Sequence, residues 1–164
     1  MVSVVVVGPA ISGKTHLCVM MAGIATVPAS VYNDTVSTNY LKMDVNGVPW
    51  HIWDTPRYEV SGWVAEDVAA EAAVVVVCHD GRRLVNPCEL VRQFGADRCV
   101  IALTRTELAG ANLSWSMDYY RTVTSSGTLV PVVAAYHSPQ ELIGHISRRC
   151  AGALGDLGVD SSPS

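Results

Sequence analysis

The chain is 164 residues long, 49% hydrophobic and only 16% charged, with a net charge of −4 at neutral pH. That length suits one domain with a substantial core and leaves no room for a second ordinary one, while the low charged fraction excludes a disordered, solvating chain. The acidic balance excludes a nucleic-acid footprint at the level of the whole chain, so the expected partners are proteins and small molecules.

Five cysteines (Cys18, Cys78, Cys88, Cys99 and Cys150) are odd in number, widely spaced and without a C-x-x-C pair. They read as buried or free thiols of a reducing compartment rather than as a disulfide framework. The apolar N-terminal run is too short for a signal sequence or a membrane span, and neither the Met-Val start nor the GVDSSPS end carries a lipid-anchor pattern. The expectation is a cytoplasmic protein with no direct lipid anchor.

The first element is the valine run Val2–Val7, a pattern expected of a parallel strand buried on both faces. It leads into GPAISGKT, Gly8 to Thr15, which fits G-x-x-x-x-G-K-[ST] between a strand and a helix expected from Lys14 to about Ala25. Main-chain N–H groups from Ile11 to Thr15 are suited to forming an anion nest at the helix N-terminus, and Gly8 and Gly13 permit the dihedrals and close approach this needs. Lys14 then reaches the β- and γ-phosphates of a nucleotide, and the Thr15 hydroxyl ligates Mg²⁺. The plainer alternative is a glycine turn that binds nothing; the strand before and the helix after favour the phosphate loop.

Residues 26–38 are loop-like in composition. Asn39–Val45 and Val48–Trp53 alternate apolar and polar positions around Asn46-Gly47, which predicts a two-residue hairpin and the one antiparallel pairing of the fold. Asp54 follows at the end of the second hairpin strand, placed to hold Mg²⁺ through water, the alternative being a solvated strand-end aspartate. A helix is predicted over VAEDVAAEAA, a central strand over Ala73–Cys78, a short helix over 86–94, a strand over Arg98–Leu103, a helix over Asp118–Thr124 and a last strand over Leu129–Ala135. Ser138-Pro139-Gln140-Glu141 is a capping box with proline at the first helical position, opening a final helix whose apolar face is Leu142, Ile143, Ile146 and Cys150. Strands alternating with helices imply a mainly parallel sheet with right-handed crossovers and a site at the carboxyl ends of its strands.

GPAISGKT and IWDTPRYE together resemble the phosphate loop and the W-D-T-A-G-Q-E segment of the small Ras-like (Ras/Rab/Arf-type) GTPase superfamily, over residues 2–152. The resemblance implies a P-loop NTPase G domain: α/β, with a mainly parallel six-stranded sheet, one antiparallel hairpin edge and helices on both faces. It implies a single domain over 1–152 with a flexible tail over 153–164, GTP/GDP and Mg²⁺ as cofactors, and regulatory or effector proteins as partners. On this pattern the nucleotide is held by Gly8, Ala10, Ile11, Ser12, Gly13, Lys14, Thr15 and His16. Thr35 of the first mobile loop, or Thr38 beside it, joins Thr15 and Asp54 around the metal.

Several positions depart from the family pattern. The D-x-x-G glycine is Arg57 and the glutamine that orients attacking water is Tyr58, whose hydroxyl lacks the amide carbonyl that accepts from water. Ala10 stands where many members have glycine. These changes imply slow hydrolysis or none, with Lys14, Arg57 and Tyr58 as the catalytic candidates. Arg57 itself has three readings: a cis arginine on the γ-phosphate, a solvent-facing loop residue, or a block on the γ-phosphate pocket. The base-reading N-K-x-D is here Thr104-Arg105-Thr106-Glu107, in which Thr104 keeps a hydroxyl to tie loops together, Arg105 a long side chain to stack, and Glu107 a carboxylate for guanine. The serine-alanine-lysine stretch has no match, and main-chain N–H groups at Ala135 and Tyr136 are the expected substitutes.

Five scattered histidines show no zinc-ligand spacing, and His79-Asp80 are neighbours unsuited to facing each other as an acid–base pair. Trp50, Trp53 and Trp63 suit either a docking face or core packing. The sequence thus predicts a GTP-binding switch with slow hydrolysis. Its rivals are a pseudo-GTPase interaction module and, on weaker grounds, a small P-loop kinase or ATPase.

Overall fold

Valine and isoleucine runs build the middle of this molecule because parallel strands flanked by helices have no wet face. The computed structural model describes residues 2–8, 12–21, 39–55, 70–80, 87–104, 130–136 and 139–156. Within them lie strands β1 (Val2–Val7), β2 (Asn39–Val45), β3 (Val48–Asp54), β4 (Val74–His79), β5 (Cys99–Leu103) and β6 (Val132–Ala134). The helices are α1 (Lys14–Met21), α2 (Pro87–Phe94) and α3 (Pro139–Asp156). The strands form one sheet of six in the order β2-β3-β1-β4-β5-β6. Among the described residues only β2 and β3 pair antiparallel, and every other neighbouring pair is parallel.

Side chains of a strand alternate between faces, and here each face has its own core. Val2, Val4 and Val6 of β1 join Val74, Val76 and Cys78 of β4 beneath α1 and α3, with Leu17, Cys18, Leu142 and Ile146. Val5 and Val7, with Val75, Val77 and Ile101, pack on the opposite face against Leu90, Val91 and Phe94 of α2. All six residues of β4 are buried, as befits a central strand.

The hairpin forms where Asn46-Gly47 predicts it. Asn46 and Gly47 have φ of 52° and 82°, the two positive values that a type I′ turn needs, and the Gly47 N–H donates to Asp44 Oδ1 at 2.8 Å. The turn fixes the register Val45 opposite Val48 through to Asn39 opposite Asp54. Trp50 settles into the core at 2% exposure, while Trp53 packs on the other face, partly buried. Trp63 lies outside the described residues.

Within the described residues, two elements depart from the sequence expectation by more than one residue. Strand β6 is shorter than 129–135, beginning after Pro131, which has no N–H to give and sits where an edge strand tolerates it. Helix α3 continues to Asp156 instead of ending near 152. Glycine at 152 and 155 costs only about 1 kcal/mol each against alanine in a helix, which Ala151, Ala153 and Leu154 offset in part. The loop 26–38, the helix over 118–124, the capping serine at 138 and most of the helix over 64–73 lie outside the described residues. Among the described residues no helix is long and apolar enough to cross a membrane.

Candidate functional site

The carboxyl ends of β1, β3, β4, β5 and β6 converge on the segment that follows β1. Gly8 leaves β1 with φ of 153°, and a Cβ there would lie 2.7 Å from the Cys78 carbonyl oxygen and 3.2 Å from Ser12 Oγ. Only glycine lets the chain pass so close to β4. Gly13, at φ of 83°, opens α1, and a Cβ on it would overlap the Tyr136 hydroxyl. Lys14 is buried, with Nζ 3.4 Å from Ser12 Oγ.

At the next residue, Thr15 Oγ1 donates to Oδ2 of Asp54, 39 positions away at the end of β3. Asp54 is 1% exposed, so its carboxylate has left bulk water and meets the first turn of α1 directly. Thr55, which the sequence reading did not single out, anchors this strand end. Its Oγ1 and N–H both go to the Val6 carbonyl, at 2.7 and 3.4 Å. A threonine directly after a strand-end aspartate was the available signal.

Thr104 and Tyr136 bring in the far side of the sheet. Thr104 Oγ1 donates to the Ser12 carbonyl at 2.5 Å, and its N–H donates to the His79 carbonyl at 2.9 Å. Tyr136 Oη donates to the Gly13 carbonyl at 3.1 Å, and its ring meets His16 edge-on with centroids 5.0 Å apart. The N–H of Ala135 donates to the Leu103 carbonyl at 2.9 Å. The Ala135 N–H is thus engaged in the sheet, through an extension of the parallel pairing past β6.

Burial silences the two cysteines whose thiols feel the charges of Lys14 and Asp54. Burial pushes the Cys78 thiol up to about 12; Lys14 opposes the rise and Asp54 adds to it. Cys18 is driven up in the same way, chiefly by burial and then by Asp54 and Cys78. Both thiols stay protonated at neutral pH and behave as core residues, not nucleophiles. His79 and Asp80 are buried at the end of β4, and no group of three or more metal-ligating side chains is found among the described residues.

The structure thus brings together Gly8, Ser12, Gly13, Lys14, Thr15, His16, Asp54, Thr104, Ala135 and Tyr136 at one edge of the sheet. Ala10, Ile11, Thr35, Arg57, Tyr58, Arg105 and Glu107 lie outside the described residues.

No protein-family model and no curated protein matches the chain at the level of sequence. Solved structures do match its fold. A bacterial selenocysteine-specific elongation factor, EF-Sec, superposes with a TM-score of 0.70 at 16% identity, over 92% of this chain and 29% of that one. Era of Aquifex aeolicus, as a variant bound to GDP.AlF4-, gives 0.70 at 18% identity over 90% and 56%. The elongation factor SelB of Methanococcus maripaludis, in complex with the GTP analogue GppNHp, gives 0.71 at 12% identity over 90% and 33%. The chain therefore spans between 29% and 56% of the length of these chains. Strand order, the single antiparallel pair and helices on both faces together give this chain the fold of a P-loop GTPase G domain.

Proposed function

We propose that this chain is a GTP-binding protein, a nucleotide-dependent switch whose hydrolysis is slow. The observation that carries the proposal is the Thr15–Asp54 contact beside buried Lys14, on a segment in which Gly8 and Gly13 both take positive φ. A hydroxyl and a carboxylate are hard oxygen donors of the kind Mg²⁺ takes, so the residues present fit that ion, with Thr15 as ligand, Asp54 behind it and Thr35 as the expected third. When bound, the ion neutralises charge on the β- and γ-phosphate oxygens.

The remaining roles belong to the chain. Lys14 pairs with the β- and γ-phosphates, the N–H groups up to Thr15 and His16 cradle them, and Arg105 and Glu107 read guanine. Neighbours of the same fold were solved with GDP.AlF4- and with a GTP analogue, which supports guanine nucleotide as the ligand. Regulatory or effector proteins that sense the bound state complete the switch, and the reducing environment implied by buried free thiols favours the cytoplasm.

A second reading, a pseudo-GTPase interaction module, is favoured by Arg57 and Tyr58 standing where the family pattern has the γ-phosphate glycine and the water-orienting glutamine. Identification of any copurifying nucleotide, calorimetric titration of GTP, GDP and ATP with Mg²⁺, and timing of GTP turnover separate the two, because the module either binds no nucleotide or holds it without turning it over. The switch predicts micromolar or tighter binding of GTP and GDP with ATP weaker. Failure of all three to bind selects the interaction module.

A further inference from the structure

Two successive carbonyls of the phosphate-loop segment are each held by a side-chain hydroxyl from a different strand end. Thr104 Oγ1 donates to Ser12 O at 2.5 Å and Tyr136 Oη donates to Gly13 O at 3.1 Å. Gly13 O also accepts the Leu17 N–H at 2.9 Å, so the tyrosine shares this oxygen with the first hydrogen bond of α1. In a planar trans peptide the N–H points opposite to the C=O, and none of the described peptides is cis. Turning the Ser12 and Gly13 carbonyls toward Thr104 and Tyr136 therefore aims the N–H groups of Gly13 and Lys14 the other way, out of the N-terminus of α1, where an anion is stabilised.

Anion-nest chemistry by itself asks only for main-chain donors, so nothing in the motif calls for a tyrosine after β6. Yet Tyr136 is built in from two sides. Its ring packs edge-on against His16 at an interplanar angle of 69°. Its hydroxyl fills the space that a Cβ on Gly13 would take, so Gly13 serves the contact as well as the turn.

We propose that Tyr136 is a positioning residue of the phosphate loop. Through Oη it fixes the Gly13–Lys14 peptide so that the Lys14 N–H meets the polyphosphate of a nucleotide, and it ties that orientation to the loop after β6. The inference rests on the phosphate-binding reading above and adds a side chain that the reading does not contain.

The test is calorimetry with Mg²⁺ on the full chain and on Y136F and Y136L, against GTP and against tripolyphosphate, which has no base. Both variants remove Oη, and both are expected to lose about three- to tenfold in affinity, the size of one neutral hydrogen bond, by the same factor for the two ligands. Undiminished binding by Y136F overturns the proposal, and a loss seen only in Y136L assigns the effect to ring packing on His16 and overturns it as well. A loss confined to GTP makes the tyrosine a nucleoside contact, which is again a failure. Absence of GTP and tripolyphosphate binding in the unsubstituted chain is a different result, because it removes the phosphate-binding reading itself and this inference with it.

Discussion

The Thr15 hydroxyl donates to Oδ2 of Asp54, joining the first turn of α1 to the end of β3 across 39 positions of the chain. Hydrogen bonds to a charged group are worth about 1.5–3 kcal/mol, more than a neutral pair, and Asp54 is almost wholly withdrawn from water. Thr15→Val keeps the shape of the side chain and removes its donor. It should lower stability by about 2 kcal/mol in urea unfolding. It should also reduce by about tenfold or more the factor by which Mg²⁺ raises nucleotide affinity, read by titrating GDP with Mg²⁺ and with chelator. An unchanged Mg²⁺ effect takes Thr15 off the metal.

Gly8 and Gly47 both have positive φ and differ in what surrounds them. A Cβ on Gly8 would lie 2.7 Å from the backbone carbonyl of Cys78 in the central strand, whereas one on Gly47 meets nothing within 4 Å. Gly47→Ala should thus cost only the dihedral penalty of about 1–2 kcal/mol. Gly8→Ala adds overpacking against a backbone that cannot yield cheaply, for a total of about 2–4 kcal/mol. Urea midpoints of the two variants give the comparison, and equal losses would mean that the close approach of Gly8 to β4 carries no stability.

Why the sheet is legible in sequence, and the tethers of the site much less so, follows from the range of the forces involved. A strand buried on both faces has to be apolar almost throughout, which Val2–Val7, polar only at the half-buried Ser3, and Val74–Cys78 announce. Asn46-Gly47 announces its turn because few residue pairs accept two positive φ values. By contrast, Tyr136 reaches Gly13 from 123 positions away and Thr55 reaches Val6 from 49, and nothing local to either residue marks its partner. Trp50 and Trp53 show the same limit: both stand in an alternating strand, and only the placement of α1 and α2 decides which core each joins. The end of α3 was hidden by glycines whose cost the surrounding alanines offset.

Tyr58 stands where the resembling family has a glutamine that both donates to and accepts from the attacking water. A phenol cannot do both with the geometry of an amide. Tyr58→Gln should raise single-turnover GTP hydrolysis by about tenfold or more, with GTP affinity little changed, because water orientation matters in the transition state and not in binding. If the rate stays where it was, control of the step passes to Arg57 or Ala10.

Buried thiols should make the fold sensitive to alkali. Cys78 lies in the core beneath α1 and α3, Cys99 in the core beneath α2, and burial raises each from 9.0 to about 12. Between those values the unfolded chain has lost the thiol proton while the folded chain keeps it, so unfolding releases a proton and rising pH favours the unfolded state. The contribution of each thiol is complete below 9.0 and is lost as pH climbs toward 12. Cys78→Ala and Cys99→Ala should each lower stability at neutral pH through the smaller side chain, and each should flatten the decline measured by urea unfolding from about pH 7 to about pH 10. The double variant should flatten it further, since the two residues occupy separate cores and their effects should add. A decline of unaltered slope in the double variant would assign the alkaline loss to other groups and remove these thiols as its source.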